Sequence, residues 1–151
     1  MSGAGAPKAT ARADLTNAGL KRGMEFTPVI GCSVHSVHAA IAAASEGADF
    51  LQVGTMFETM SHPGKIAEGP GLISDIKEGL SHTGEQRLPL DSPLPVFGVG
   101  GVDEHNCHEL IARGADGVAV ISAVFASRDP EAAARRISLA MIGGSGVSGD
   151  A

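Results

Sequence analysis

Apolar and polar positions along the chain fall into segments that predict strands and helices in alternation, from about Thr27 onward. Short apolar runs predict four strands at 28–34, 49–54, 95–99 and 116–122. Apolar residues at helical spacing predict helices at 37–46, 70–80, 103–114 and 129–142. Strands that alternate with helices in this way are typical of a parallel sheet covered by helices.

Residues at the predicted helix ends support these assignments. Ser36 is expected to cap the first helix, and Gly47 to close it in the left-handed conformation. Asp103 is expected to cap the third helix, which Gly114 ends, and Asp129-Pro130-Glu131 is a strong start for the last one. Gly47-Ala48-Asp49 and Gly114-Ala115-Asp116 repeat the same junction, which predicts two structurally equivalent β–α units.

Four β–α units predict an α/β fold that is a partial TIM barrel, because a whole (β/α)8 barrel has eight strands and typically ~250 residues. We expect this half-barrel to span 28–142. A flexible segment at 1–27, with a short helix near 15–22, and a flexible tail at 143–151 are expected to flank it. The open strand edges leave three alternatives: pairing with another half-barrel or a second copy, a fragment or abbreviated relative, or a small open sheet.

Composition and charge limit the kinds of partner and compartment that the chain is expected to have. The chain has 151 residues, of which 43% are hydrophobic. Its net charge is −6, and it has no basic stripe that could neutralise the phosphates of a nucleic acid. No apolar run approaches the ~20 residues that span a bilayer. Cys32 and Cys107 form no C-x-x-C pair, so a reducing compartment and the cytoplasm are expected. An Ala-rich start with Lys8 and Arg12 resembles a weak organelle-targeting tail, although a disordered terminus is the simpler interpretation.

His35 is the first candidate for chemistry, because it follows the first strand at the carboxyl end, where parallel α/β folds bind ligands. An imidazole can move protons near neutral pH, whereas the simpler interpretation is a polar residue at a strand end. Ser33 lies two residues earlier and shares a side with His35 in an extended strand. It is either a ligand contact or a small residue of the barrel interior.

Two glycine-containing turns predict an anion site. Gly98-Val99-Gly100-Gly101-Val102 and Val120-Ile121-Ser122-Ala123 each follow an apolar run, and consecutive units of this kind hold phosphate in barrel enzymes. Gly100, Gly101, Ile121 and Ser122 are therefore the predicted phosphate-binding residues. A tight strand-to-helix turn also requires glycine, so this alternative stays open.

The long loop at 55–69 offers further polar groups. Thr59, Ser61, His62 and Lys65 can close over an anionic substrate, and Glu58 can serve as an acid or base. His105, Cys107 and His108 invite a zinc interpretation, but Cys107 would point away from the two histidines on a helix, and no second ligand pair has metal-site spacing. We therefore predict no metal site. His38 and His82 are predicted to be surface residues.

Several strings together resemble the C-terminal half of the thiamine phosphate synthase/TenI superfamily over about residues 28–142. They are Ile30-Gly31-Cys32-Ser33-Val34-His35-Ser36, Gly47-Ala48-Asp49-Phe50, Met56-Phe57-Glu58-Thr59, Gly98-Val99-Gly100-Gly101-Val102 and Gly114-Ala115-Asp116-Gly117-Val118-Ala119-Val120-Ile121-Ser122. The resemblance implies a TIM barrel and a role in thiamine biosynthesis, as a Mg²⁺-dependent transferase (the synthases) or a metal-free thiazole tautomerase (the TenI branch).

Ser-Val-His-Ser and Phe-Glu-Thr are more similar to the tautomerase branch, since synthases usually carry Thr-x-Thr-Lys where this chain has Thr59-Met60-Ser61-His62. The resemblance implies that His35 is the acid/base and that Ser33 contacts the ligand, a small phosphorylated thiazole. It places the Mg²⁺ ligands and diphosphate-binding residues of synthases in the other half of the barrel. We therefore expect no cofactor for this chain alone, and Mg²⁺ only where that half is supplied. A non-catalytic phosphate-binding or assembly half-barrel, and a synthase fragment, are the alternatives.

Overall fold

The computed structural model of the chain describes residues 28–59, 64, 66–82 and 94–143. Within these residues, four parallel strands form one sheet in the order β1-β2-β3-β4. The strands are β1 (Gly31–Val34), β2 (Phe50–Val53), β3 (Val96–Val99) and β4 (Gly117–Ala119). The helices are α1 (Val37–Ser45), α2 (Gly71–His82), α3 (Cys107–Ala112), α4 (Ser122–Phe125) and α5 (Pro130–Gly143).

The strand order follows the sequence without reversal. A doubly wound sheet reverses its strand order at a switch point, whereas a barrel adds each strand beside the previous one. The predicted class, an α/β partial barrel of four parallel units, is confirmed by this open sheet. In the part of the chain that the structure describes, no helix is long and apolar enough to cross a membrane.

One face of the sheet carries the hydrophobic core. Leu51, Val53 and Val96 are fully buried there, and they pack with helix residues such as Ile73 and Leu110 in one cluster. Because side chains alternate along a strand, Phe50, Gln52, Phe97 and Val99 project from the opposite face. We call this second face the open face of the sheet.

Two phenylalanines occupy part of the open face. The rings of Phe50 and Phe97 meet edge to face, with centroids 5.8 Å apart. A side chain at Gly31 would collide with the Phe50 ring, and a Cβ at Gly117 would lie 3.0 Å from the Phe97 ring. The glycines on the two outer strands therefore make room for the aromatic pair.

The two Gly-Ala-Asp strings make the same hydrogen bonds in the two β–α units. Asp49 donates its backbone N–H to the Ile30 carbonyl (2.7 Å) and accepts the Ile30 N–H on its carboxylate (2.6 Å). Asp116 makes the same pair of bonds with Val96, at 2.8 and 2.7 Å. Each aspartate therefore fixes the register of its strand on the neighbouring one.

Element boundaries differ from the sequence prediction in several places. All four strands are shorter, and the fourth ends at Ala119, because Ser122 begins the helix α4, which the prediction missed. The third helix begins at Cys107 rather than after Asp103, since the Asp103 carboxylate accepts the N–H groups of His105 and Asn106 in a preceding turn. Helix α2 continues to His82. The flanking segments 1–27 and 144–151 lie outside the described residues.

The other helix ends agree with the prediction. Ser36 Oγ accepts the Ala39 N–H (3.2 Å), and Asp129 Oδ1 accepts the Ala132 N–H (2.9 Å). Gly47 and Gly114 have φ of 86° and 91°. Both glycines therefore adopt the left-handed conformation that ends a helix most easily.

Candidate functional site

A cavity of about 120 Å³ opens at the carboxyl ends of β3 and β4. Pockets for drug-sized ligands are larger, at ~300–1,000 Å³, so this one suits a single small group. We call it the β3–β4 cavity. Its lining comes from the residues that end both strands and begin the next turns, together with one residue of the loop after β2: Val99, Gly100, Gly101, Val102, Ala119, Val120, Ile121, Ser122 and Thr59.

The glycine turn at the end of β3 admits no side chain. Gly100 and Gly101 have φ of 95° and 67°, where other residues are strained. A Cβ at Gly101 would lie 2.6 Å from the Phe57 carbonyl oxygen and 2.5 Å from that of Glu58. A Cβ at Gly100 would lie 2.8 Å from the Thr55 methyl. Both glycines are therefore required by the conformation and by the close approach of the loop after β2.

The carbonyl groups of this turn are bonded within the protein. The Gly100 carbonyl accepts the Phe57 N–H (3.0 Å), and the Gly101 carbonyl accepts the Asn106 side-chain amide (2.9 Å). These bonds occupy the oxygens that would repel an anion. No residue that lines the cavity has a charged side chain, so attraction for an anion comes there from backbone N–H groups.

The second part of the cavity comes from the start of α4. The first N–H groups of a helix have no partner within it, and Ile121, at the N-cap position, makes no side-chain cap bond. Ile121 and Ser122 are both exposed. Helix α4 has only four residues, so the individual N–H groups matter more here than a helix dipole.

His35 lies directly after β1, at the same end of the sheet as the cavity. Its Nδ1 atom is 3.3 Å from Oε1 of Glu68. The His35 side chain is 56% exposed, whereas that of Glu68 is 19% exposed. The backbone N–H of Glu68 donates to the Thr55 carbonyl (2.8 Å), which joins the end of the loop after β2 to its start. A carboxylate that accepts from one ring nitrogen leaves the other nitrogen available for chemistry.

Glu68 is the residue that the sequence reasoning missed. The prediction chose Glu58 as the carboxylate of this loop, but Glu58 is exposed and its backbone carbonyl packs on the glycine turn. The available signal was the position of Glu68 in Glu68-Gly69-Pro70-Gly71, just before a helix. Gly69 has φ of 80°, so a left-handed residue separates Glu68 from the start of helix α2.

The remaining predicted ligand contacts are distributed around this end of the sheet. Ser33 is exposed on the open face, in register with Gln52. Thr59 is partly buried and lines the cavity. Ser61 and His62 lie outside the described residues. The structure therefore brings Thr59 to the four predicted phosphate-binding residues and leaves Ser33 beside His35.

The described residues do not fit a metal ion. They contain no group of three or more His, Cys, Asp or Glu residues arranged to hold one. Mg²⁺ prefers several oxygen ligands, which the His35–Glu68 pair does not supply. Cys107 is fully buried beside the Ile137 carbonyl, and burial raises the pKa of its thiol, whereas His105 and His108 are exposed. His38 and His82 are exposed, as predicted.

A parallel sheet in sequence order, with a small cavity after two adjacent strands, defines the class of (β/α)-barrel folds. Comparison with known proteins gives the family. The model of the family described as thiamine monophosphate synthase matches residues 11–124. The chain belongs to this family.

Curated relatives carry the same name. A thiamine-phosphate synthase of Methanospirillum hungatei is 38% identical over 115 residues, which cover 76% of this chain and 50% of the relative. One from Methanoculleus marisnigri is 44% identical over 109 residues, covering 72% and 46%. The chain spans about half the length of these relatives. The solved thiamine phosphate pyrophosphorylase of Pyrococcus furiosus, 25% identical, aligns with a TM-score of 0.69 over 97% of this chain and 59% of its own.

Proposed function

We propose that this chain binds a thiazole phosphate and isomerises its ring, with His35 as the acid/base. The observation that carries the proposal is that the β3–β4 cavity and His35 lie at the same end of one sheet. The cavity lies at the ends of β3 and β4, two to three strand spacings from β1, or about 10–14 Å. The substrate would therefore extend across the end of the sheet from the cavity toward His35.

The proposed reaction needs only proton transfer. Backbone N–H groups at Gly101 and Ser122 hold the phosphate, and such fixed dipoles require no rearrangement during the reaction. A neutral His35 imidazole takes a proton from one end of a three-atom system in the ring. The ring electrons shift, and the imidazolium returns the proton at the other end. Acid–base help of this kind contributes typically ~10²–10⁴-fold.

The test is an NMR assay of isomer interconversion with carboxythiazole phosphate. We expect His35→Gln to lower the rate by about 10²–10⁴-fold while phosphate binding stays nearly unchanged, because the histidine is not in the cavity lining. His38→Gln is the matched control, since His38 is an exposed histidine on the adjacent helix α1. Absence of turnover in folded wild-type protein, or joint loss of binding and turnover in His35→Gln, would contradict the proposed role.

A second candidate is the transferase reaction of thiamine phosphate synthases. The names of the curated relatives favour it. The resemblance assigns the diphosphate-binding residues and Mg²⁺ ligands to the other half of the barrel, so we expect no thiamine phosphate from this chain alone. The assay mixes the chain with hydroxymethylpyrimidine diphosphate, thiazole phosphate and Mg²⁺. Product formation by the chain alone would favour the transferase over the isomerase.

A third candidate is a non-catalytic half-barrel that assembles with a second copy or a complementary half-barrel. Exposed apolar side chains near the β4 edge favour it: Ile121, Phe125, Leu139 and Ile142, on or beside α4 and α5, are each more than 60% exposed. Contiguous exposed apolar residues are typical of interaction surfaces. Light scattering tests this candidate, since a stable monomer would exclude self-assembly. The cytoplasmic location stays a prediction.

A further inference from the structure

The contact between His35 and Glu68 has the geometry of a histidine held by a carboxylate. The separation of 3.3 Å between Nδ1 and Oε1 is an ion-pair distance, longer than the ~2.7–2.9 Å of a charge-assisted hydrogen bond, so a small rotation of the exposed ring would be needed to form one. An ionised carboxylate can only accept, so Nδ1 must be the donor in either charge state of the ring. A hydrogen bond formed across this contact would therefore place the proton of neutral His35 on Nδ1.

Glu68 is better fixed than an ordinary surface partner. Exposed ion pairs usually contribute little, because both long side chains must be ordered from solvent. Here the Glu68 side chain is 19% exposed, and its own backbone N–H is bonded to the Thr55 carbonyl at 2.8 Å. The next residues, Gly69 to Gly71, lead directly into helix α2. The backbone of Glu68 is thus anchored and its side chain is mostly buried, while the imidazole is 56% exposed.

We infer that Glu68 is a positioning residue that holds neutral His35 as the Nδ1–H tautomer and leaves Nε2 as the nitrogen that accepts the substrate proton. The part of this inference that concerns the substrate rests on the proposed function. The part that concerns the tautomer does not, because it rests on the His35–Glu68 contact and not on any substrate. The two parts are therefore tested by separate measurements.

The tautomer is measured by long-range ¹H–¹⁵N NMR of protein labelled at histidine. At about pH 8.5, two units above the ordinary histidine pKa of ~6.5, unperturbed histidines are neutral. We expect the His35 spectrum of the wild-type protein to show a protonated Nδ1 and an unprotonated Nε2. We expect Glu68→Ala to shift His35 toward the Nε2–H form. A wild-type His35 that is already Nε2–H would overturn the inference without any variant.

Two controls separate positioning from general disturbance. Glu58→Ala removes an exposed carboxylate from the same loop and should leave the His35 pattern unchanged. The His38 signals in each spectrum should not move, since His38 is exposed on α1. Should Glu68→Ala fail to fold, Glu68→Leu, which keeps a side chain of similar size without an acceptor oxygen, is measured instead. Identical His35 patterns in the wild type and in the folded Glu68 variant would overturn the inference.

The activity readout tests the catalytic part. If the wild-type protein isomerises the thiazole phosphate, we expect Glu68→Ala to lower kcat by ~10–100-fold with KM nearly unchanged, as for other partners that orient a functional histidine. An altered tautomer with full kcat would remove the catalytic role of Glu68. Wild-type protein without turnover, but with the Nδ1–H tautomer, would contradict the proposed function while supporting the placement of His35 by Glu68.

Discussion

The unit from β1 to β2 and the unit from β3 to β4 are nearly identical at one end and unlike at the other. At the amino ends of the strands, Ala48 and Ala115 are each 7% exposed, and each donates its N–H to the carbonyl of the residue five positions earlier. Each is followed by an aspartate that makes hydrogen bonds to both the N–H and the C=O of one residue at the start of the adjacent strand.

At the carboxyl ends of the strands the two units diverge. After β1, His35 is followed at once by Ser36, which caps a nine-residue helix. After β3, Gly100 and Gly101 form a turn that closes on the loop after β2, and a six-residue helix begins only at Cys107. One unit thus presents a side chain that can move a proton, and the other presents backbone groups that can hold an anion. The repeated end carries the scaffold, and the variable end carries the candidate chemistry.

The largest expected contrast between the units concerns their thiols. Cys32 on β1 is partly exposed, whereas Cys107 on α3 is fully buried, and burial raises the pKa of the Cys107 thiol. A raised pKa leaves less reactive thiolate at neutral pH. We expect iodoacetamide to modify Cys32 at least about 100-fold faster, because Cys107 reacts only after an opening that costs ~3 kcal/mol or more.

Peptide mass spectrometry over time gives both rates in one experiment. In urea, where both residues are exposed, the two rates should become similar. A Cys32→Ser variant should retain only the slow reaction. Comparable rates in the native protein would mean that α3 does not pack on α5 as the Cys107 contact with Ile137 indicates.

The next largest effect is on stability, and it compares glycines at the two ends of the β3–β4 unit. Gly101→Ala places a Cβ against the carbonyl oxygens of Phe57 and Glu58 at positive φ, so we expect a loss of about 2–4 kcal/mol in the free energy of unfolding. Gly114→Ala is the matched control. Its φ of 91° is also left-handed, but the nearest atom, in Lys77, would be 3.8 Å away, so strain alone costs about 1–2 kcal/mol. Urea unfolding measures both, and equal losses would contradict the close approach at Gly101.

A smaller effect tests whether the two amino ends are equivalent. Asp49→Ala and Asp116→Ala each leave a strand N–H without its carboxylate partner, and we expect losses of about 1–3 kcal/mol that resemble each other. Asp75→Ala, at an exposed position of α2, should stay within about 0.5 kcal/mol of the wild type. Asp116 also pairs with Lys77, so its loss is compared after subtracting that of Lys77→Ala; a loss at one aspartate with none at the other would then show that the repeated string is not a repeated structural device.

The sequence predicted the scaffold better than the site, for physical reasons. Helix ends such as Ser36 and Gly47 act through bonds within a few residues, so local sequence specifies them. The repeat of Asp49 and Asp116 was visible as a string, although the bonds it makes to the neighbouring strand were not. The glycine turn that lines the β3–β4 cavity was singled out because two glycines in a turn after a strand are a strong local signal, and its binding of phosphate stays a prediction.

Contacts between segments that are distant along the chain could not be predicted from the sequence. Glu68 reaches His35 across 33 positions, through a loop whose path depends on the Thr55 carbonyl. Helix α4 was missed because its four residues lack a local cap signal and continue an apolar run. The start of the third helix was misplaced because the Asp103 carboxylate caps a turn, a bond pattern that the sequence does not distinguish from a helix cap.

The smallest predicted effect compares a polar side chain after β1, which caps a helix, with one after β3, which holds the glycine turn. Ser36→Ala removes the cap of α1 and should lower the free energy of unfolding by about 1 kcal/mol. Asn106→Ala removes the bonds to the Gly101 carbonyl and the Asp103 N–H, at a similar cost of about 1 kcal/mol. Ser138→Ala, at an exposed position of α5, is the neutral control.

The two variants should differ in anion binding although their stabilities are similar. Asn106 holds the glycine turn that lines the β3–β4 cavity, whereas Ser36 acts on a helix far from its lining. We therefore expect Asn106→Ala to weaken the binding of inorganic phosphate and Ser36→Ala to leave it unchanged. The affinity is measured by titration, followed through the amide signals of Gly101 and Ser122. If Ser36→Ala weakened phosphate binding as much, the assignment of chemistry to separate strand ends would be wrong, since the first unit would then help to hold the anion.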